Sequence, residues 1–323
     1  MSLSGYVFIL TPIEPQVETP YQIIPKHFLQ KAETEQIVNI KKLLKVFNTF
    51  PIPGIPDEYI QPPYEYDYIV TTGKQPGSTH YEQKTLPQDR WRYWVINFEG
   101  VNSELEELQY SLSLMDQDIE LGFHFITGDE LIGVSFGWHS QNLHTYFNDY
   151  DRKVIVPKII SSADLQLANE CYSRLKQIPQ QYSHINRAFH RFDVLRSIPL
   201  TSELTTIGLF SIIESLLTHA PSNNDPTDSL VRQIKHKIPL VRKRFRRTID
   251  HNAIFNGIDE ERLWVKLYAY RSKIVHGESA DISGNLSVLK DRKTVIAYLR
   301  DIVKLLLIQS LGEPILMTDL KEC

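Results

Sequence analysis

The apolar residues of this chain keep two different periods, and the change between them near residues 150–160 constrains the fold more than any other feature. Before the change, "GYVFIL" (5–10), "DYIVTT" (67–72), "RYWVINFEG" (92–100) and "IELGFHFIT" (119–127) are short runs rich in Val, Ile, Phe, Tyr and Trp. Gly, Pro, Asn and Asp bound them. Such runs predict strands, because β-branched and aromatic side chains suit a pleated, half-buried surface. One helix is expected over 33–47, where Ile37, Ile40, Leu44 and Phe47 recur at helical spacing. "FPIPGIPDEYIQPPYEYD" (50–67) is too rich in proline for regular structure and predicts a loop. Its Pro53 to Pro56 spacing would also suit a PxxP ligand.

After the change the texture is helical. "SSADLQLANECYSRLKQI" opens on a serine cap, and "SHINRAFHRFDVLRSI" and "TSELTTIGLFSIIESLLTHA" follow with helical apolar spacing. "SLVRQIKHKIPLVRKRF", "DEERLWVKLYAYRSKIVHG" and "LSVLKDRKTVIAYLRDIVKLLLIQSLG" complete the set. The expected fold class is therefore α+β, with a strand-rich mixed domain at 1–155 and an all-helical bundle at 156–323. A length of 323 residues suits two domains of about 150 each.

Composition excludes several classes. With 42% apolar and 23% charged residues the chain is ordinary for a globular protein, and no stretch reaches the roughly 18 apolar residues of a membrane span. The N-terminus has no basic segment, and its apolar run is short and soon followed by prolines, which argues against a secretory signal. A cytoplasmic, reducing setting without membrane contact is expected. Cys171 and Cys323 give neither a disulfide framework nor a zinc spacing. No cofactor is expected. The net charge of −4 conceals an asymmetry, since residues 232–247 hold eight Lys or Arg and no acid, leaving −12 on the rest. That block predicts a localised anionic partner, or else a solvated helix face.

The most informative stretch is "LYAYRSKIVHGE" (267–278). Asp259 stands where an N-cap belongs, Glu260 and Glu261 fill the first turn, and Gly277 lies just past the end, so a helix is expected over about 260–276. Leu263, Leu267, Tyr270 and Ile274 form one apolar stripe; Trp264, Tyr268, Arg271 and Val275 form a neighbouring one. A guanidinium inside such a stripe needs a partner or a solvated cleft. His276 follows at about 140° around an ideal helix, so the two side chains converge if the last turn unwinds or if a second copy supplies the complementary half.

"LYAYRSKIVHGE", with "LFSIIESLLTH" some fifty residues earlier, resembles the Apea-like branch of the HEPN superfamily over roughly residues 160–311. The likeness rests on the Arg-x4-His signature of Arg271 and His276 near the end of a late helix, and on the acidic Glu214 in an earlier one. It implies an all-helical bundle, a homodimer in which the two signatures face one another, and metal-independent RNA cleavage, in settings such as antiviral defence or a toxin system. Many catalytic members carry Asn, Asp or His after the arginine; this chain has Ser272.

The residue types suit that chemistry. Attack by the 2′-hydroxyl on the adjacent phosphorus needs a base, an acid for the leaving 5′-oxygen, and a cation to steady the phosphorane. Histidine, with an unperturbed pKa of about 6.5, can move protons near neutral pH. Arginine grips phosphate oxygens in a planar fork. Arg271, His276 and Glu214 are thus the candidate catalytic residues, with Ser272, Lys273, Arg242, Lys243 and Arg246 as candidate RNA contacts. Two readings compete. In one, Arg271 and Glu214 form only a brace and His276 merely ends the helix. In the other, the bundle binds nucleotide or RNA, or scaffolds a partner, without catalysis. "GVSFG" (133–137) matches the letters of a nucleophile elbow but lacks a good helix start after it. His124, His139 and His144 lack close ligand spacing. Phe189 and Phe192 could stack on bases, though a core-facing pair is the simpler reading.

Overall fold

A computed structural model describes residues 3–48, 66–75, 78–100, 102–127, 135–138, 156–198, 202–221 and 229–323. The chain divides into two compact units, Met1–Tyr172 and Ser173–Cys323. The first is strand-rich and the second helical, an α+β organisation.

In the first unit the strands β1 (Leu3–Ile9), β2 (Ile13–Pro15), β3 (Tyr21–Ile24), β4 (His27–Lys31), β5 (Tyr68–Gln75), β6 (Ser78–Thr85), β7 (Trp94–Gly100), β8 (Leu121–Thr127), β9 (Ser135–Trp138) and β10 (Lys158–Ile160) alternate with α1 (Thr34–Asn48) and α2 (Asn102–Ser113). Six strands make one antiparallel sheet in the order β3-β4-β7-β1-β8-β9. β1 lies at its centre and reads as an almost continuous apolar run because both of its faces are covered. Tyr6 and Phe8 share one face with Ile37, Ile40 and Leu44 of α1. Val7 and Ile9 share the other with Leu105, Leu108 and Leu112 of α2 and with Leu165, Ala168 and Tyr172. The latter three lie in the first three turns of α3 (Ser162–Gln177), and the compact division falls at 172/173, past the change in sequence texture. Gly5 of β1 is a steric requirement, since a Cβ there would meet the Phe125 carbonyl oxygen at 2.0 Å.

The four predicted strands form, as does the 33–47 helix. Most of the proline-rich 50–67 stretch, with Pro53 and Pro56, lies outside the described residues, as do His139 and His144. Ser135 sits in β9 opposite Ile126 of β8, an extended strand position; a nucleophile elbow needs a sharp strand-to-helix turn at that residue.

The second unit contains α4 (Ser183–Val194), α5 (Glu203–Leu217), α6 (Leu230–Arg242), the short α7 (His251–Ile254), α8 (Glu260–Val275), α9 (Arg292–Gly312) and α10 (Pro314–Glu322). α9 begins later than its apolar pattern suggests. Residues 284–289 form a 3₁₀ segment, Lys290 takes φ +64°, and Asp291 caps the helix by accepting from the Thr294 N–H at 2.8 Å. Phe189 and Phe192 are buried in α4 and are closed to base stacking. Among the described residues no helix is long and apolar enough to cross a membrane.

Candidate functional site

α8 starts and stops as its sequence dictates. The Asp259 carboxylate accepts from the Arg262 N–H at 3.2 Å. At the other end His276 is the C-cap and Gly277 adopts φ +68°. The Gly277 N–H bonds the Ile274 carbonyl at 3.1 Å and the Glu278 N–H bonds the Lys273 carbonyl at 2.9 Å, the paired reversal of a Schellman motif. A Cβ on Gly277 would meet nothing within 4 Å, so glycine is selected there by its positive φ alone.

The two stripes of α8 separate in depth. Leu263, Trp264, Leu267 and Tyr270 are buried, and Trp264 meets Phe210 of α5 edge-on with centroids 6.4 Å apart. The bundle itself thus consumes the Trp264 end of the wide apolar arc. The second stripe then climbs outward through half-buried Tyr268 and Arg271 to Val275, which is 47% exposed.

Arg271 and Glu214 are brought together across α8 and α5. Nη2 of Arg271 lies 3.3 Å from Oε1 and 3.5 Å from Oε2 of Glu214, with 22% and 17% of the two side chains exposed. Charge-assisted N–H···O bonds ordinarily close to about 2.7–2.9 Å, so the pair is loose. Arg271 Nε and Glu214 Oε1 are buried without a hydrogen-bond partner. Burial pushes the Glu214 carboxyl above its ordinary range, and the Arg271 charge only partly opposes this. The guanidinium carbon also lies 5.3 Å from the ring centre of Tyr268, one turn back, and Phe210 meets that ring edge-on at 5.9 Å. Burial raises the Tyr268 hydroxyl, the Glu214 charge adding to the effect. The role of Tyr268 beneath Arg271 went unread in the sequence, although an aromatic residue at i−3 from an arginine on one helix face is its signal.

His276 presents its backbone to the fold and its side chain to solvent. Its N–H bonds the Ser272 carbonyl at 3.0 Å, and the residue is exposed. Any residue could supply that N–H, so the cap does not account for an imidazole. Ser272 and Lys273 are half-buried on the same last turn.

Much of the basic block is ion-paired or buried inside the unit. Arg242 sits 3.0 Å from Glu260, with further bonds to the Ile249 carbonyl and to His251 Nδ1. Arg244 is held in bidentate fashion by Glu313, Arg247 pairs with Asp301 at 3.3 Å, and Lys235 with Glu261 at 3.7 Å. Lys237 is buried and donates to the Lys321 carbonyl at 3.1 Å. Lys243 and Arg246 are exposed and make no ion pair among the described residues. Arg242 is thus an internal strut, while Lys243 and Arg246 remain open to a ligand. Among the described residues no three His, Cys, Asp or Glu side chains cluster as metal ligands.

In comparisons with family models, characterised proteins and solved structures, no match to the chain is found.

Proposed function

We propose that the second unit is an endoribonuclease half-site of the HEPN type, completed by a second copy of the chain. The observation that carries this reading is the presence on one helix of a loosely held, half-buried Arg271 and, at its end, an exposed imidazole that the cap does not require. In the reaction, the 2′-hydroxyl oxygen attacks the neighbouring phosphorus and the bond to the 5′-oxygen breaks. His276 moves a proton at one of these oxygens, and Arg271 neutralises the charge that builds on the non-bridging oxygens. The attacking group belongs to the substrate, so the scheme calls on no metal. Glu214 orients Arg271 from behind. Two-fold pairing along the outer face of α8, where Val265 and Val275 are 42% and 47% exposed, would set two signatures opposite one another.

A second reading has its own support. The Arg271–Glu214 contact ties α8 to α5, and a bundle that only binds RNA or a partner would use it as a brace. Purified protein incubated with a mixed RNA pool in EDTA separates the two. Cleavage by wild type that is lost in both Arg271→Ala and His276→Ala supports the nuclease. Binding without cleavage by any form supports the second reading.

A further inference from the structure

We propose that a cleft on the six-stranded sheet of the first unit binds an unpaired nucleobase with a guanine-like edge. This inference concerns a different unit and does not rest on the nuclease reading.

Sheet register builds the floor. Phe28 of β4 stands opposite Asn97 of β7, and Asn97 opposite Tyr6 of β1, so the three side chains share one face. α1 covers only part of that face. Tyr6 is buried beneath it, stacked on Phe125 with centroids 4.5 Å apart, and its hydroxyl accepts from Asn39 Nδ2 at 3.3 Å. Phe28 is left 37% exposed, and beside it opens a cleft of about 430 Å³, within the range of roughly 300–1,000 Å³ typical of small-ligand sites. An exposed phenylalanine in the interior of a sheet face offers a flat apolar platform on which a base can stack.

The polar groups then select the ring. Gln36 of α1 donates from Nε2 to Asn97 Oδ1 at 3.1 Å, while its own Oε1 accepts from the Glu33 N–H at 2.9 Å. This chain of bonds fixes the Asn97 amide: with Oδ1 engaged toward α1, Nδ2 is the end left to donate into the cleft. Glu33 and Glu99 also line the cleft and are exposed carboxylate acceptors, Glu99 in only a stretched 3.9 Å contact with Lys26. One fixed donor beside two acceptors matches a ring carbonyl next to N–H groups, as on the O6, N1–H and N2–H₂ edge of guanine. Adenine places a donor where the carbonyl would be. Lys26, Glu33 and Glu99 together carry −1, which favours an uncharged ring at the floor and keeps phosphate at the rim or absent. A free nucleoside and an unpaired base in a strand present the same chemistry.

The test is calorimetric titration of the full chain, in an Arg271→Ala, Lys243→Ala and Arg246→Ala background so that neither the motif nor the open cations of the helical unit contribute. The probes are guanosine, adenosine, a short single-stranded oligonucleotide with one guanine, and its abasic counterpart. Guanosine is expected to bind saturably and at least about tenfold more tightly than adenosine. Phe28→Ala should weaken it on the order of tenfold. Glu99→Gln, at an exposed position that leaves folding untouched, should weaken it as well, and Asn97→Asp, which turns the fixed donor into an acceptor, should remove the preference over adenosine. Comparable affinity for guanosine and the oligonucleotide identifies a nucleoside site. Tighter binding of the oligonucleotide that disappears with the abasic strand identifies an unpaired-base site. Absence of saturable binding by both, equal binding of guanosine and adenosine, or affinity unchanged in Phe28→Ala and Glu99→Gln overturns the proposal.

Discussion

Arg271 Nη2 lies 3.3 Å from Glu214 Oε1, whereas Arg242 Nη2 lies 3.0 Å from Glu260 Oε2 in the same helical unit. Both pairs cross between helices, and each carboxylate keeps one buried oxygen without a hydrogen bond, but Arg242 also bonds the Ile249 carbonyl and His251, while Arg271 Nε has no hydrogen-bond partner. One arginine is locked into the fold, and the other is held near a carboxylate with capacity to spare. Their substitutions should therefore differ.

Arg242→Ala strands the mostly buried Glu260 carboxylate and removes three contacts, so it should lower stability by about 3 kcal/mol. Arg271→Ala removes a loose pair and should lower it by roughly 1 kcal/mol. Chemical denaturation of the two variants side by side checks this. Equal losses would mean that Arg271 is as much a strut as Arg242.

Burial raises the Glu214 carboxyl above its ordinary value of 4.5 despite the nearby arginine. The folded protein therefore keeps that proton to a higher pH than the unfolded chain. The stability tied to it is complete below the unfolded value and is lost as pH rises through the folded one. Glu214→Gln cannot titrate, so the stability of wild type relative to this variant should fall as pH climbs from 4.5. Arg271→Ala, which removes the opposing charge, should extend the fall to higher pH. Denaturation midpoints across that range, identical in wild type and Glu214→Gln, would contradict the raised carboxyl.

RNA binding should respond to the open cations rather than to the whole basic block. Changing Lys243 and Arg246 together to alanine should flatten the salt dependence of single-strand binding by up to about 1.4 units of slope. Adding Arg242→Ala should leave that slope alone and lower stability instead. Affinity measured over a range of salt checks both parts.

Gly277→Ala should cost about 1–2 kcal/mol, because the positive φ is strained for alanine although space for the Cβ is open. For a unit of this size that lowers the melting temperature by roughly 2–8 °C. If the Schellman turn also sets the height of His276, turnover should fall in Gly277→Ala at temperatures where the variant remains folded.

Most of the architecture could be read from residue patterns because local signals and burial agree. The strand at GYVFIL forms at the sheet centre, and α8 begins at the Asp259 cap and ends one residue before His276. α2 escaped the reading even though Leu105, Leu108 and Leu112 are spaced helically and buried, since Glu104, Glu106 and Glu107 and the buried polar Gln109 and Ser111 break up its apolar pattern. The short β2, β3, β4 and β10 escaped because three to five residues carry too little pattern. At the site, a charge within an apolar stripe signalled that Arg271 needs a partner, and only the resemblance pointed to Glu214. The Tyr268 ring beneath Arg271 and the internal commitment of Arg242, Arg244 and Arg247 were not. Ion pairing across helices depends on which acids arrive from elsewhere, here Glu260, Glu313 and Asp301, and no local window contains them.

The most direct test of the central claim is the chemistry of the RNA ends made by wild type and by His276→Ala in EDTA. Proton transfer at His276, with Arg271 on the phosphate, should leave 2′,3′-cyclic phosphate ends in the wild-type reaction. His276→Ala should lower the rate by about 10²–10⁴ while RNA affinity and melting temperature stay close to wild type. Equal cleavage by the two proteins, or wild-type products ending in 3′-hydroxyl groups, would contradict the account.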